Sequence, residues 1–164
     1  MTTKPNPFPD LLAVRLPELM RAAIAEAWRA DQPFGCVLAD FQTGDLKVAA
    51  ANSSARDPTA HAEINALREL ANQGLDPGQV VLISTAEPCP MCGAASWWAG
   101  VRGVIFGTSI ADLIRFGWRQ LDLPFEDLLA GARPPRPLIV VGGFRAAETD
   151  PLYRAGPRGK AMGD

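Results

Sequence analysis

Apolar residues near helical spacing dominate the first part of the chain. They recur from Leu11 to Ala27, as expected for a helix with one buried face. Because proline is poorly tolerated inside a helix, Pro17 predicts that the regular helix begins around that residue and runs to about Ala30. The proline-containing residues 1–9 are predicted to form a loose arm before it.

Short, continuously apolar stretches bounded by turn residues indicate five strands. They are Phe34–Ala39, Leu46–Ala51, Val80–Ile83, Val101–Phe106 and Leu138–Val141. The Thr43-Gly44-Asp45 turn joins the first two strands, so these are predicted to pair as an antiparallel hairpin.

Helical patterns separate the later strands. The predicted helices begin at Asp57-Pro58-Thr59 and stop at Gly74, follow Cys92 to about Gly100, and span Ser109–Phe116 and Pro124–Ala130. Strands that alternate with helices pair in parallel through right-handed crossovers. We therefore expect an α/β fold of three layers, α/β/α, with a mixed five-stranded sheet. A single domain is expected over residues 1–164, with an ordered core at about 10–153 and flexible tails at 1–9 and 154–164.

Composition narrows the classes of function. The chain has 164 residues, of which 48% are hydrophobic and 21% charged, as in ordinary globular domains. No apolar run approaches the roughly 20 residues of a membrane span, and Met1 to Asp10 lacks a signal-peptide core, so no membrane partner is expected. The net charge of −2 argues against a generic binder of polyanions such as nucleic acid. Three cysteines without a signal peptide favour a reducing compartment, which predicts a cytoplasmic location.

Candidate chemistry is concentrated at two predicted helix starts. His61, the only histidine, lies at one of them, and Cys89 and Cys92 lie at the other. Three such donors are the number that a catalytic zinc ion requires, because its fourth position stays open for water. Glu63, two residues after His61, is a candidate base for that water. Taken singly, each residue has a plainer interpretation: the cysteines as a redox pair, His61 as a cap and Glu63 as a solvated side chain.

The two motifs together resemble those of the zinc-dependent cytidine deaminase superfamily, whose signature is H-x-E followed by P-C-x-x-C. The resemblance runs from about Phe34 to Phe106 and rests on the stretches Thr59-Ala60-His61-Ala62-Glu63 and Glu87-Pro88-Cys89-Pro90-Met91-Cys92. It implies a cytidine deaminase-like fold and hydrolytic deamination of an amino-heterocycle. It also implies that His61, Cys89 and Cys92 bind Zn²⁺ and that Glu63 shuttles protons. A homodimer is expected from the resemblance alone.

Within the superfamily, the flanking residues are most similar to the guanine deaminase and tRNA adenosine deaminase branch. This likeness implies that Asn52 binds the substrate base and that Asp112 faces it, although a solvated aspartate at a helix start is an alternative for Asp112. The backbone N–H of Ala62, at a predicted helix start, is a candidate donor to the substrate, and the flat ring of Phe34 is a candidate wall against the base, with core packing as the alternative. A guanine-like purine is therefore the preferred small-molecule partner. The segment with Gln120 and Asp122 departs from the guanine deaminase pattern, so related heterocycles and nucleosides stay open.

Two other functions remain open at this stage. Adenosine-to-inosine editing of tRNA needs a basic track, whereas Arg154, Arg158 and Lys160 are confined to the tail. A non-catalytic zinc or redox module would use the cysteines alone. Such a module would not need Glu63 as a proton shuttle.

Overall fold

One mixed sheet organises the part of the chain that the computed structural model describes, residues 6–158. Its strands are β1 (Gly35–Asp40), β2 (Leu46–Ala51), β3 (Val80–Ala86), β4 (Gly103–Thr108) and β5 (Ile139–Val141). The helices are α1 (Asp10–Arg29), α2 (Ala62–Asn72), α3 (Pro90–Ala99), α4 (Ile110–Arg115), α5 (Phe125–Ala130) and α6 (Ala146–Tyr153). None of the helices in this range is long and apolar enough to cross a membrane.

The strand order is β2-β1-β3-β4-β5, and strand direction changes within it. Strand β1 pairs antiparallel with both β2 and β3, while β3–β4 and β4–β5 are parallel. The predicted opening hairpin and the mixed five-stranded α/β fold are thus confirmed. The carboxyl ends of β3 and β4 lie at one edge of the sheet, where loops of parallel sheets commonly build sites.

Both faces of the sheet are covered, and alternation along the strands explains how. In β1, Val37 and Ala39 pack toward α1, whereas Cys36 and Leu38 pack toward α2. Successive side chains of a strand point to opposite faces, so a continuously apolar strand needs a helical layer on each side. Helices α1 and α6 form one layer, and α2, α3 and α5 form the other.

The first helix is longer than predicted. It begins at Asp10 and contains Pro17 in its interior, so the expected start near residue 17 is wrong. Leu12 and Leu16 continue its buried face on the N-terminal side of the proline, and their burial outweighs the missing backbone hydrogen bond. Phe8 is buried in the same core, so this part of the predicted loose arm packs against the sheet.

The second helix is shorter than predicted. It begins at Ala62, because the segment from the Asp57-Pro58-Thr59 signal onward forms turns that satisfy their own polar groups. Asp57 Oδ1 accepts hydrogen bonds from the Thr59 N–H and hydroxyl, which is an Asx-type turn rather than a helix cap. The predicted stop is confirmed: the helix ends at Asn72, and Gly74 adopts φ +66°.

The C-terminal part holds one helix that the sequence did not predict, α6, which packs on β4. After it, Arg158 is fixed by the Gln32 side chain, whose amide donates to the Arg158 carbonyl and whose oxygen accepts from the Arg158 N–H. This contact brings the start of the predicted flexible tail against the α1–β1 turn. The remaining tail residues, 159–164, and residues 1–5 of the arm lie outside the described residues.

Candidate functional site

Two helix N-termini meet at one edge of the sheet and carry the motif residues. His61 is the residue before α2, with extended backbone angles of φ −68° and ψ 157°. Cys89 is the residue before α3, and Pro90 occupies the first helical position, where proline has no hydrogen bond to lose. Cys92 follows within the first turn of α3 and is buried. The local sequence thus begins each helix directly at a candidate ligand.

The three candidate ligands fit a zinc ion. The Nδ1 atom of His61 lies 3.6 Å from Cys89 Sγ and 3.5 Å from Cys92 Sγ. Zinc ligands at about 2.3 Å for sulfur and about 2.0 Å for nitrogen are roughly 3.5 Å apart at tetrahedral angles. The donor atoms also lie within 4.8 Å of one another. The side chains therefore already have the spacing of three corners of a tetrahedral site.

Electrostatics in this cluster favour thiolate formation at one sulfur. The contact with the Cys92 thiol, opposed by burial and reinforced by His61, lowers the pKa of Cys89 to about 4. The contact with Cys89 and burial raise the pKa of Cys92 well above its usual value. The contact with Cys89 also raises the pKa of His61. Metal binding requires deprotonated ligands, so Cys89 already favours its ligand form, whereas Cys92 must lose its proton when a cation binds.

Glu63 lies in the first turn of α2 and is 5% exposed. Its Oε1 accepts a hydrogen bond of 2.9 Å from the hydroxyl of Ser84 on β3. Burial, followed by the charge of Cys89, raises the pKa of this carboxyl. Because His61 precedes the helix in extended conformation, His61 and Glu63 can line one cavity although they are only two residues apart.

A cavity of about 770 Å³ opens in front of these groups. Five of the residues that the sequence singled out line it: Phe34, Asn52, His61, Glu63 and Cys89. The cavity is also bordered by residues from later segments: Glu87, Gly117, Trp118, Arg119, Gln120, Pro157 and Arg158. Its size suits a bicyclic heterocycle with space to spare.

An aromatic cluster builds one wall of the cavity. The ring of Phe34 lies 5.0 Å from the rings of both Trp118 and Tyr153, in edge and tilted arrangements. The Trp118 indole N–H donates to the Tyr153 carbonyl, and the Tyr153 hydroxyl donates to Thr85. Phe34 and Trp118 are thereby held rigidly, which suits them to stack against a flat ligand.

Asn52 follows β2 directly and has its amide nitrogen engaged twice. Its Nδ2 donates to Asp31 Oδ1 at 2.6 Å and to Ser54 Oγ at 2.7 Å. The sequence suggested that Asn52 would offer both a donor and an acceptor to a purine. In the structure, both amide hydrogens point to protein acceptors.

Two of the predicted substrate-binding residues are not side chains of the cavity wall. Ala62 is buried as the first residue of α2, and its backbone N–H is one of the helix-start donors that lack an intrahelical partner. Asp112 lies in α4, where its carboxylate accepts from the Ser109 hydroxyl and pairs with Arg115. Asp112 is not among the residues that line the cavity, and its place facing a base stays a prediction.

Several residues of the site were not predicted from the sequence. Glu87 accepts hydrogen bonds from the N–H groups of Ile110 and Phe125, so it ties the starts of α4 and α5 to the cavity. Asp31 and Ser84 act through contacts with Asn52 and Glu63. Only Glu87 carried a sequence signal, since it directly precedes the Pro-Cys motif.

The comparison with protein families agrees with this geometry. The model of the cytidine and deoxycytidylate deaminase zinc-binding region matches residues 15–108, more than half of the chain. That span includes the predicted ligands and Glu63, and it ends with β4.

Individual relatives point the same way. The chain is 32% identical over 117 residues to a probable cytosine deaminase of Schizosaccharomyces pombe, covering 68% of this chain and 71% of that protein. It is 33% identical over 109 residues to the guanine deaminase of Bacillus subtilis, covering 58% of this chain and 66% of that protein. Among solved structures, a guanine deaminase from Nitrosomonas europaea superposes with a TM-score of 0.72 at 25% identity, covering 93% of this chain and 87% of that chain.

Proposed function

The chain belongs to the cytidine and deoxycytidylate deaminase zinc-binding family, and from this premise we propose that it is a zinc-dependent hydrolytic deaminase of a guanine-like purine. One observation carries the proposal. His61 and Cys89, which form a possible metal-binding cluster with the buried Cys92, line the same cavity as the buried carboxylate of Glu63. A metal site next to a shielded carboxylate is the arrangement that hydrolysis of a ring C–N bond requires.

The proposed reaction replaces an exocyclic amino group by oxygen. The oxygen of water bonds to the ring carbon that bears the amino group, the C–N bond breaks, and ammonia leaves. When bound by His61, Cys89 and Cys92, zinc supplies a Lewis acid that acidifies and orients water.

Glu63 handles the protons in this scheme. It takes one from the attacking water and delivers it to the ring nitrogen next to the reacting carbon. It then transfers the proton of the new hydroxyl group to the amino group, which leaves as ammonia while the carbonyl forms. The hydrogen bond from Ser84 keeps its carboxylate directed at one place during both transfers. The position of Ala62 at the start of α2 supports a role for its N–H as a donor to the substrate, because such helix-start groups lack an intrahelical partner.

The cavity walls support a flat, amino-bearing base as substrate. Phe34 and Trp118 offer aromatic surface for stacking, and Asn52 offers a polar contact. The guanine and cytosine deaminases among the relatives indicate a free nucleobase as the substrate class. The guanine-like preference is the finer part of the proposal.

The alternative functions have less support. Editing of tRNA requires basic groups available for phosphates, but the Arg158 guanidinium donates to the Ala30 carbonyl and lies over Trp28. A purely structural zinc or redox site leaves a buried glutamate and a cavity of this volume unexplained.

Ammonia release from a substrate panel tests the proposal. Zinc-loaded protein is mixed with guanine, adenine, cytosine, their nucleosides, ammeline and a tRNA anticodon stem. We expect strong release from guanine or a close analogue. Release from the RNA alone would overturn the proposed substrate class, and no release from any of them would overturn the proposed activity.

A variant pair tests the role of Glu63. Glu63→Gln is expected to keep about one zinc per chain while activity falls by roughly 10²–10⁴-fold, because the shuttle cannot ionise. Glu69→Gln, at an exposed position of the same helix, serves as the matched control and should retain full activity. Normal turnover by Glu63→Gln would refute this assignment.

We also propose a homodimer and a cytoplasmic location. Met91 and Trp98, seven residues apart on α3, face outward, and Trp98 is 78% exposed, so this tryptophan is not part of the core of a single chain. An exposed aromatic face on this helix supports contact with a second copy. Light scattering should give a dimer mass for the wild type and a monomer mass for Trp98→Lys. The three free cysteines are consistent with a reducing compartment.

A further inference from the structure

Asp31 sits at the rim of the cavity with both carboxylate oxygens occupied. Its Oδ1 accepts from Asn52 Nδ2 at 2.6 Å and from the Gln32 N–H at 2.7 Å, and its Oδ2 accepts from the Ala55 N–H at 2.6 Å. Partial burial raises its pKa, but hydrogen bonds, led by Ala55 and Asn52, outweigh this effect and lower the pKa below its ordinary value of 3.8. Asp31 is therefore ionised at neutral pH and can only accept hydrogen bonds.

An acceptor-only neighbour decides which way the Asn52 amide points. Rotating that amide by 180° would place its oxygen against the Asp31 carboxylate, which has no hydrogen to donate. Leaving a buried donor or acceptor unsatisfied costs about 1–3 kcal/mol, and repulsion by a carboxylate adds to this cost. Asn52 is 5% exposed, so water does not compensate. The amide is thus held in one orientation.

The fixed amide leaves only Oδ1 of Asn52 for a ligand. No hydrogen bond from residues 6–158 reaches this oxygen, and Asn52 lines the cavity. A ligand group that meets Oδ1 must therefore donate a hydrogen. A bare ring nitrogen at that place would face an oxygen with no hydrogen between them.

We propose that Asp31 is a positioning residue for substrate selection: by locking the Asn52 amide, it makes the cavity select heterocycles with a ring N–H at Asn52 and disfavour those with a bare or substituted nitrogen there. The inference rests on the proposed deamination of a guanine-like purine. It adds that the substrate donates, and Asn52 accepts, the hydrogen bond between them. Both carboxylate oxygens of Asp31 accept from protein donors, so Asp31 acts through Asn52.

The test compares ligand preference in Asp31→Asn with that in the wild type. The amide introduced by this substitution can donate as well as accept, so Asn52 becomes free to present either end of its own amide. Two ligand pairs cover the two ring edges of guanine: guanine against 2,6-diaminopurine, whose N1 has lost its hydrogen, and guanine against 9-methylguanine, whose N9 is blocked. The ratio of kcat/KM is measured within each pair on zinc-loaded protein.

In the wild type, we expect at least one pair to show a preference of 10-fold or more for guanine, since a site built for a donor rejects a ligand that lacks it. In Asp31→Asn, this preference should fall at least fivefold, through KM rather than kcat, with the zinc content unchanged. The matched control is Asp40→Asn, which alters a similar carboxylate that accepts the N–H groups of Gln42 and Thr43 in the β1–β2 turn. It should keep the preference of the wild type.

A double variant distinguishes the positioning role of Asp31 from structural damage caused by the Asp31→Asn substitution. In Asp31→Asn/Asn52→Asp, the new amide donates to the new carboxylate, whose second oxygen again presents only an acceptor to the cavity. Preference for guanine should return in this variant. Unchanged preference in the single variant, or no return in the double variant, would overturn the role of Asp31. A wild type that deaminates none of these purines would overturn the proposed function and this inference with it.

Discussion

Ser84 is the residue that fixes the orientation of Glu63, although it lies on a strand and belongs to no motif. Its hydroxyl donates to Glu63 Oε1, and the residue is 1% exposed, so no water replaces it. Ser84→Ala should lower kcat by about 10-fold, because the carboxylate loses one of the contacts that aim it, while zinc content and KM stay near the wild-type values. Steady-state kinetics and metal analysis measure both.

The control for Ser84 is another buried serine. Ser96 donates to the carbonyl of Cys92 within its own helix and does not contact Glu63. Ser96→Ala should keep its kcat within about twofold of the wild type. Equal losses of kcat in the two variants would mean that removing any buried hydroxyl lowers kcat. That result would contradict a specific role of Ser84 in orienting Glu63.

The lowered pKa of Asp31 predicts that the free energy of unfolding of the protein depends on pH. Its folded pKa is lower than its ordinary value of 3.8, so its hydrogen bonds stabilise the fold fully above that value. The contribution is lost as the pH falls through the lowered folded pKa. The difference in free energy of unfolding between the wild type and Asp31→Asn should thus be constant from about pH 7 to pH 5 and shrink toward about pH 3. Urea unfolding at several pH values measures it, and a difference that does not shrink contradicts the lowered pKa.

Single residues divide clearly into those that the sequence revealed and those that it did not. His61, Glu63, Cys89 and Cys92 were found because their types and spacing reflect a local chemical need. Asp31 carried no signal, since its partner Asn52 is 21 residues away and only the pairing of β1 with β2 brings them together.

Among the elements, α1 lies unusually close to β1 at Gly35. A β-carbon on Gly35 would overlap the Ala23 carbonyl oxygen and lie 2.6 Å from the Ala27 nitrogen, both of which are backbone atoms that cannot rotate away. The close approach at Gly35 sets the distance between α1 and β1, and β1 begins directly after Phe34. The closeness of the two elements therefore supports the cavity wall.

Gly35→Ala should destabilise the protein by about 1–3 kcal/mol or more, because the helix must move away from the sheet. Gly131→Ala is the control, since its β-carbon would lie 3.3 Å from the nearest atom, the Leu128 carbonyl oxygen, and its φ is −79°. It should cost under about 1 kcal/mol. Chemical denaturation compares the two, and equal losses would contradict the close-approach argument.

The predicted ends of helices were correct where a local sequence signal decides them. The predicted start of α1 was wrong because packing decides it. Gly74 and Gly100 end α2 and α3 in the left-handed conformation, as a glycine does after a helix. Pro17 was taken as a start signal for α1, but the burial of Leu12 and Leu16 continues the helix on its N-terminal side. Propensity is a weak force compared with a buried apolar face.

At the scale of the whole molecule, the zinc site joins α2 to α3, which otherwise belong to separate crossovers. Zinc that binds the folded chain and only weakly the unfolded one stabilises the fold by mass action, by about 2.7 kcal/mol at a free concentration roughly 100 times its Kd. Purified protein should hold about one zinc per chain. Removal by a chelator should abolish ammonia release and lower the melting temperature by several degrees.

Two variants make this prediction specific to the site. Cys92→Ser should lose zinc and should no longer respond to the chelator in a thermal melt. Cys36→Ser changes a fully buried core cysteine outside the cluster and should lower the melting temperature while keeping the response to the chelator. A metal-free wild type with full activity would contradict the mechanism.

The sequence by itself determined the class of fold and the metal-binding chemistry of this protein. Strand and helix periods follow from which faces are buried, and the spacing of His61, Cys89 and Cys92 follows from the local geometry of two helix starts. Tertiary structure alone decided what surrounds the metal. The Asp31–Asn52 lock, the Ser84–Glu63 contact and the exclusion of Asp112 from the cavity each depend on which distant segments the sheet brings together, and contacts over such separations leave no periodic trace in a single chain.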